Sequence, residues 1–345
     1  MTTKEKLKKY QDWLFKCSAY QMALNIIGID KQTVAPSAGA AYRDERSAYL
    51  AGELFSLETD KEIVELLKEL KDDPEVNDED RRAVELYYKR ALDTVCIPKE
   101  EFVAFKKLCD ESFDAWILAK SKADYSIFEP YLKKVIESQK RLYGYRNSDK
   151  SIYNQMLDDY EPGMDEEKYD AFFNALKERL VPLIGKVTKA KQINEDFLHQ
   201  SFPIEDQKKF MDDLLKYVHF DSSWGYQNES EHPFTSWTCE NDCRTTTKYI
   251  ENNVASAILS TVHEVGHAYY EHNIDPKYDG MILSEGVSSG MHESQSRLCE
   301  NYLGRTMAFW KYNYPKLQSY FPKQLGDISL EDFYKAINIS KPSFV

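Results

Sequence analysis

Apolar residues recur at intervals of three and four along most of this 345-residue chain. Between residues 7 and 27 this spacing is the period of an amphipathic helix. The same period predicts further helices over residues 43–70, 80–95, 99–119, 127–145, 165–183 and 204–218. Because no Gly/Ser-rich or Pro-rich linker divides the chain, we expect one large, mainly α domain over residues 1–345.

Residues 220–249 depart from the helical period. Turn-forming residues such as Gly225 and Pro233 appear there, followed by the β-branched run Thr245, Thr246 and Thr247. Turn residues next to β-branched residues are typical of short strands. We therefore predict a small β hairpin or sheet directly before the helix that carries the candidate chemistry.

The charge balance limits the classes of partner. Lys and Arg number 45 against 58 Asp and Glu, giving a net charge of −13, which argues against nucleic acid or an anionic membrane surface as the main partner.

No apolar stretch reaches membrane-spanning length, and the N-terminus has no apolar signal core. The six cysteines are scattered, and the close pair Cys239 and Cys243 lacks a second pair that would complete a zinc site. We expect a cytoplasmic protein with reduced thiols.

An H-E-x-x-H motif, His263-Glu264-Val265-Gly266-His267, lies in the helix predicted over residues 254–270. Residues four apart share one helix face, so His263 and His267 can bind one metal ion. Glu264 would then lie beside the ion, where its carboxylate can take a proton from water. Gly266 costs helix stability, about 1 kcal/mol relative to Ala, which suggests that another element packs closely against it. The motif predicts a metal-dependent hydrolase.

A catalytic zinc site needs a third protein ligand. Asn273 stands where a longer pattern would have a third histidine, so a glutamate must serve. Glu285, Glu293 and Glu300 are the candidates. Glu285 resembles a residue near a helix N-terminus, which is a sufficient structural role. The neighbours of Glu293 could orient it as a ligand, which favours Glu293 without excluding the others.

Four segments occur in the order and spacing of a known family. They are His232-Pro233-Phe234, Asp242-Cys243-Arg244-Thr245-Thr246, the H-E-x-x-H motif and His292-Glu293-Ser294-Gln295-Ser296. With them the chain resembles the thermostable carboxypeptidase Taq family, peptidase family M32, along its whole length. The resemblance implies a helical molecule with a deep central groove, usually a homodimer, that removes single residues from the C-terminus of peptides.

The resemblance also implies roles for particular residues. His263, His267 and Glu293 would bind one divalent ion, zinc first, with cobalt or another divalent ion possible. Glu264 would be the general base.

Four further residues would bind substrate or brace the groove: His232, Asp242, Arg244 and His292. For His232, an oxyanion donor and a buried structural histidine are both open. Asp242 and Arg244, two apart on a strand, could simply form an ion pair.

The chain differs from the family pattern after Val345. Family members continue through an Ile-Arg-x-x-Ala-Asp motif, and its arginine, suited to the free carboxylate of a substrate, would follow directly. We therefore expect a C-terminally incomplete domain with exposed apolar surface. Residues 1–219 would form a helical wall, 220–303 the hairpin and metal-site helices, and 304–345 a helical tail.

Three functions are compatible with these features. The first is a metallocarboxypeptidase. The second is an endopeptidase with the same metal centre and no selection for a terminal carboxylate. The third is an inactive remnant that binds metal or peptides and needs a complementary C-terminal polypeptide.

Overall fold

The computed structural model describes residues 1–146 and 148–341, and most of them are helical. Fourteen α-helices and three strands are found among the described residues. The helices are α1 (Thr3–Thr33), α2 (Ala40–Glu58), α3 (Lys61–Lys71), α4 (Asp78–Thr94), α5 (Lys99–Lys122), α6 (Glu129–Gly144), α7 (Ile152–Tyr160), α8 (Glu166–Val187), α9 (Ile204–Tyr217), α10 (Val254–His272), α11 (Ser289–Arg297), α12 (Met307–Tyr320), α13 (Pro322–Leu325) and α14 (Leu330–Ile337). The prediction of a mainly α protein with a small sheet is confirmed.

One predicted helix is in fact two. The apolar period over residues 43–70 predicted a single helix, but the chain breaks between α2 and α3. Asp60 caps α3, because its carboxylate accepts hydrogen bonds from the backbone N–H groups of Glu62 (2.8 Å) and Ile63 (3.2 Å). A side chain that satisfies free N–H groups in this way begins a new helix. Helix α7 was not predicted at all.

Backbone contacts group the chain into two compact units. Unit 1 comprises Met1–Asp159 and Asp275–Glu285, and unit 2 comprises Tyr160–Ile274 and Gly286–Val345. Each unit has its own apolar cluster, around Leu67 and Leu70 in unit 1 and around Trp310 and Phe333 in unit 2. The single domain over residues 1–345, with its three segments, stays a prediction. Residues 342–345, at the end of the predicted helical tail, lie outside the described residues.

The strands of unit 2 form a three-stranded sheet in the order β1-β3-β2. They are β1 (Gly225–Glu229), β2 (Thr235–Trp237) and β3 (Cys243–Thr247). The antiparallel pair β2–β3 corresponds to the predicted hairpin, whereas β1 joins β3 in parallel, which was not predicted. The central strand is buried, and its Thr247 hydroxyl donates to the carbonyl of Ala257 in α10 (3.3 Å).

Helix α10 lies beside this sheet and forms much of the core of unit 2. Val254, Ile258 and Val262, spaced four residues apart on one helix face, are 1–2% exposed. Tyr269 is partly buried, and its hydroxyl donates to the carbonyl of Val218. The helix begins at its predicted residue and runs two residues further than expected, to His272.

Helix α8 exposes apolar side chains, including Phe172 (57%), Val181 (63%) and Leu183 (53%). None of its residues is buried. Among the residues described, no helix combines the length and the apolar character that a membrane span requires.

Candidate metal centre

The H-E-x-x-H motif lies in the middle of α10, with both histidines on one helix face. The rings of His263 and His267 are 5.0 Å apart between centroids, and their side chains are 16% and 17% exposed. This is the arrangement that a four-residue spacing on a helix predicts. Both rings remain partly exposed on a helix that is otherwise largely buried.

Helix α11 brings Glu293 close to both rings. Its Oε2 atom lies 3.5 Å from Nε2 of His263 and 3.6 Å from Nε2 of His267. These distances exceed those of hydrogen bonds. Two ligands bound tetrahedrally to one zinc ion at about 2.0–2.1 Å lie roughly 3.3–3.4 Å apart. Because all three ligand atoms lie within 4.8 Å of one another, the residues fit a divalent ion held between them.

Gly266 allows α10 and α11 to approach closely enough for this cluster. A Cβ atom added to Gly266 would lie 2.7 Å from Cα of Ser296 and 2.9 Å from Cβ of Cys299. Separations of this size are below van der Waals contact, so any larger residue would push the helices apart. The close packing expected at Gly266 is confirmed.

The carboxylate of Glu293 is oriented by two residues of its own helix. Arg297 donates from Nε to Oε1 (2.7 Å), and the hydroxyl of Ser296 donates to Oε2 or to the backbone carbonyl of Glu293 (3.1 and 2.7 Å). Burial raises the pKa of Glu293, but the Arg297 hydrogen bond and the charge of His263 outweigh burial and bring the pKa below its ordinary value. Glu293 is therefore held as a carboxylate that faces both imidazoles.

Glu300, the second candidate for the third ligand, occupies a different place. It lies in a π-helical turn, Leu298–Gly304, and is 6% exposed. Its Oε2 accepts a hydrogen bond from Nδ1 of His263 (3.0 Å), and its Oε1 accepts one from Arg305 (2.8 Å). Burial raises the pKa of Glu300, but these partners dominate and lower it to about 2. Glu300 thus binds Nδ1 of His263, and the other ring nitrogen, Nε2, faces Glu293.

The same carboxylate influences the protonation of His263. Burial lowers the pKa of His263, but the hydrogen bond to Glu300 and the nearby charges of Glu264 and Glu293 outweigh burial and raise it. A carboxylate that accepts from the second ring nitrogen fixes the tautomer and makes a metal-binding histidine more basic. Glu300 is therefore suited to support His263 as a ligand.

His267 is bonded differently. Its Nδ1 lies 2.6 Å from Nδ1 of His292, whose Nε2 lies 2.6 Å from Oε1 of Glu271. Burial and the neighbouring ring of His292 lower the pKa of His267 to about 4, so the ring is neutral at pH 7. A neutral imidazole is the form that binds metal. Sequence reasoning missed Glu271, although it lies four residues after His267 and so on the same helix face.

Glu264 lies on the face of α10 that contacts the sheet, and it is 6% exposed. The hydroxyl of Thr235 in β2 is 2.6 Å from Oε2 of Glu264 and 2.9 Å from its backbone carbonyl oxygen. Burial raises the pKa of Glu264, while the hydrogen bond from Thr235 and the charge of His263 partly oppose the rise. A carboxyl with a raised pKa can both accept and return a proton near neutral pH.

Glu285, the third candidate for the metal ligand, is not at a helix N-terminus as expected. It follows a 3₁₀ turn, Ile282–Ser284, in an extended conformation, and α11 begins only at Ser289. Its carboxylate forms an ion pair with Arg90 of α4, with an NH2–Oε2 distance of 2.7 Å. That pair is a structural role within unit 1.

The remaining predicted residues lie outside the cluster. His232 is exposed in the loop between β1 and β2, and among the described residues its imidazole takes part in none of the contacts of the cluster. Arg244 pairs with Asp242 through two hydrogen bonds of 2.7 and 2.8 Å, and Thr238 donates to the same carboxylate (2.8 Å). The ion pair considered for Asp242 and Arg244 is therefore present. His292, the fourth of these residues, contacts the cluster through His267, with 2.6 Å between their Nδ1 atoms.

Comparison with known proteins identifies the family of the chain. The family model of the carboxypeptidase Taq (M32) metallopeptidases matches residues 9–345. Carboxypeptidase 1 of Bacillus subtilis is 38% identical over 342 residues, which cover 98% of this chain and 68% of that protein. Thermostable carboxypeptidase 1 of Thermus thermophilus is 32% identical over 351 residues, covering 95% of this chain and 67% of that protein.

A solved structure shares the fold. The crystal structure of BsuCP superposes with a TM-score of 0.95 at 38% identity, covering 99% of this chain and 69% of that one. The chain thus spans about two thirds of the length of the relatives that it matches. Since both the family model and the fold cover nearly all of its residues, the chain belongs to the carboxypeptidase Taq (M32) family of metallopeptidases.

Proposed function

We propose that this chain is a metal-dependent carboxypeptidase that hydrolyses the C-terminal peptide bond of peptides. His263, His267 and Glu293 would hold one divalent ion, and Glu264 would act as the general base. The observation that carries the proposal is the convergence of Nε2 of both histidines on Oε2 of Glu293, at 3.5 and 3.6 Å. The names of the relatives support the carboxypeptidase activity.

Two histidines and one glutamate are a donor set of catalytic zinc sites, and other divalent ions such as cobalt accept it too. Zinc is therefore our first choice. When bound, such an ion supplies Lewis acidity and lowers the pKa of water. The chain's contribution is to present His267 as a neutral ligand, to orient His263 through the carboxylate of Glu300, and to keep Glu293 ionised.

Glu264 would move the protons of the reaction. Its carboxylate takes a proton from the attacking water, whose oxygen bonds to the scissile carbonyl carbon. When the C–N bond breaks, Glu264 returns that proton to the leaving nitrogen, so the residue ends in its starting state. Burial, which raises its pKa, and the Thr235 hydroxyl, 2.6 Å away, suit Glu264 to this exchange.

Strand β2 offers a surface for the peptide. It is an edge strand of the sheet, and its Thr235 contacts the general base. An extended peptide could add to this edge by backbone hydrogen bonds, which would bring its scissile bond beside Glu264. His232, Asp242 and Arg244 belong to the same sheet and its loops, and we propose that they brace this surface. Homodimerisation and a cytoplasmic location stay predictions from the sequence.

One assay separates the candidate functions. Purified protein with added zinc or cobalt is incubated with an N-blocked dipeptide that has a free carboxylate, and with a longer peptide amidated at its C-terminus. Release of the last residue from the first substrate alone supports the carboxypeptidase. Internal cleavage of the amidated peptide would indicate an endopeptidase, and metal binding without any cleavage would indicate an inactive binding protein.

Two variants test the assigned roles. Glu264→Gln should keep the metal and lose at least about 100-fold in kcat, because general-base catalysis contributes about 10²–10⁴-fold. Glu293→Ala should lose the metal, while the matched variant Glu285→Ala should retain it. Full activity in Glu264→Gln would contradict the general-base role, and loss of metal in Glu285→Ala but not in Glu293→Ala would contradict the ligand assignment.

A further inference from the structure

A second carboxylate on α10 is linked to the proposed metal centre. Glu271 lies four residues after His267 and is 2% exposed. His292 of α11 lies between Glu271 and His267. Its two ring nitrogens are each 2.6 Å from a partner, Nε2 from Oε1 of Glu271 and Nδ1 from Nδ1 of His267. The three side chains therefore form one hydrogen-bonded chain across two helices.

The chemistry of these groups sets the direction of the hydrogen bonds. An ionised carboxylate can only accept, so Nε2 of His292 must carry the hydrogen that Glu271 accepts. In a neutral ring the other nitrogen, Nδ1, then has the lone pair. Nδ1 of His267 must donate to that lone pair, which leaves the lone pair of His267 on Nε2. That atom faces Glu293.

The opposite direction is unfavourable for two neutral rings. It would place the lone pair of His292 Nε2 against the carboxylate of Glu271 at 2.6 Å. It would also place a hydrogen on Nε2 of His267, the atom needed for metal binding. Through His292, Glu271 therefore selects between two tautomers of His267.

The position of His292 is fixed by its surroundings. A Cβ atom on Gly286 would lie 2.6 Å from Cδ2 of His292, so the absence of a side chain there makes room for the ring. The rings of Trp237 and Tyr270 flank it, with centroids 5.4 and 5.1 Å away. Held from several sides, His292 has little freedom to rotate out of the chain.

We infer that Glu271 is a positioning residue that, through His292, holds His267 in the tautomer with a free Nε2 lone pair. The inference rests on the proposed metal centre. It gives His292 a structural link to a metal ligand in place of the substrate-binding or groove-bracing role expected from the sequence. It also makes the supports of the two histidines unequal. Glu300 supports His263 directly, whereas Glu271 reaches His267 through the imidazole of His292.

Zinc affinity is the first test. It is measured by competition with a chromophoric chelator for the wild type, Glu271→Gln, His292→Phe and the double variant. Glu205→Gln is the control, because the Glu205 side chain is 81% exposed. Loss of such a supporting partner typically weakens metal binding about 10–100-fold. We expect that range for each single variant, no further loss in the double variant, and no change in Glu205→Gln. Losses of zinc affinity that do not add in the double variant indicate that Glu271 and His292 act on His267 together.

A second measurement needs no metal. In metal-free protein labelled with ¹⁵N-histidine, long-range ¹H–¹⁵N correlation reports which nitrogen of each ring carries the hydrogen, and the His267 signals are identified by their loss in His267→Gln. His267 should be protonated on Nδ1 in the wild type and shift toward a mixture of tautomers in His292→Phe. The unfolding midpoint of each variant is recorded to show that the fold is kept.

The possible results separate this inference from the proposed function. If His267 has its hydrogen on Nε2, or if zinc affinity changes less than about twofold in both single variants, the positioning role is wrong even when the wild type binds zinc. Additive losses in the double variant would also overturn it. If the wild type binds no zinc, the proposed metal centre fails, and the tautomer measurement alone then decides whether the hydrogen-bonded chain exists.

Discussion

Replacing Gly266 by alanine should have two opposing effects on the free energy of unfolding, a gain in helix propensity and a loss from steric overlap. In a helix interior the substitution favours folding by about 1 kcal/mol, because alanine loses less backbone entropy than glycine. Here, however, the new Cβ atom would meet Cα of Ser296 at 2.7 Å and the carbonyl oxygen of Gln295 at 2.9 Å. Backbone atoms cannot rotate away as a flexible side chain can. Helices α10 and α11 would have to move apart by roughly 0.8 Å to reach carbon–carbon contact near 3.5 Å.

Overpacking of this kind costs about 1–3 kcal/mol, and contact with backbone argues for the upper end. After the gain in helix propensity, Gly266→Ala should destabilise the protein by about 2 kcal/mol. Gly185 in α8 is the matched control, because an added Cβ there meets no atom within 4 Å. Gly185→Ala should therefore stabilise the protein by about 0.5–1 kcal/mol. Urea unfolding of the metal-free proteins measures both changes.

The same displacement should weaken metal binding. Ser296 lies one turn after Glu293, so moving α11 outward carries the carboxylate away from the imidazoles on α10. The shift exceeds the tolerance of about 0.2 Å expected for metal–ligand distances. We expect zinc affinity to fall about tenfold or more in Gly266→Ala and to be unchanged in Gly185→Ala. If both variants gain stability and bind zinc like the wild type, the close approach at Gly266 does not set the spacing of the ligands.

Two further predictions concern groups outside the candidate site. Burial is the largest influence on the pKa of Glu58 and raises it, with Arg90 opposing, so folding disfavours the ionised form at any pH above the ordinary pKa of 4.5. Glu58→Gln should raise the thermal unfolding midpoint at pH 7. The gain should vanish as the pH falls below 4.5, where the wild-type residue is protonated in both states, and an equal gain at pH 4 would contradict this cause. Burial also raises the pKa values of Cys17 and Cys243 to about 12. At pH 8 iodoacetamide should leave both thiols of the native protein unlabelled and should label all six cysteines of the unfolded protein, as measured by peptide mapping. Rapid labelling of Cys243 in the native protein would contradict its burial.

Much of the fold could be predicted because helical periods are local. The apolar positions of α10 are an example, since Val254, Ile258 and Val262 are buried as their spacing required. The break between α2 and α3 was missed because the apolar period continues across it. The capping residue Asp60 was a visible signal, but its effect depends on the chain turning there.

The sheet was predicted only in part. Turn residues and β-branched residues indicate strands, and the antiparallel pairing of β2 with β3 joins neighbours in sequence. The parallel pairing of β1 with β3 passes over β2, and no local pattern encodes such a partner. Long-range pairing depends on the burial of β3 against α10, which only the folded chain displays.

The sequence by itself determined that His263, Glu264 and His267 share one stretch of helix, because an i, i+4 spacing has only one geometric outcome on a helix. It favoured Glu293 as the third ligand but could not exclude Glu285 and Glu300, since each is a carboxylate within reach by chain length. Tertiary structure separated their roles by giving each a different partner. Glu285 pairs with Arg90, Glu300 accepts from Nδ1 of His263, and Glu293 faces both Nε2 atoms. A ligand set needs atoms to converge at one point, and convergence is a property of packed helices rather than of any single one.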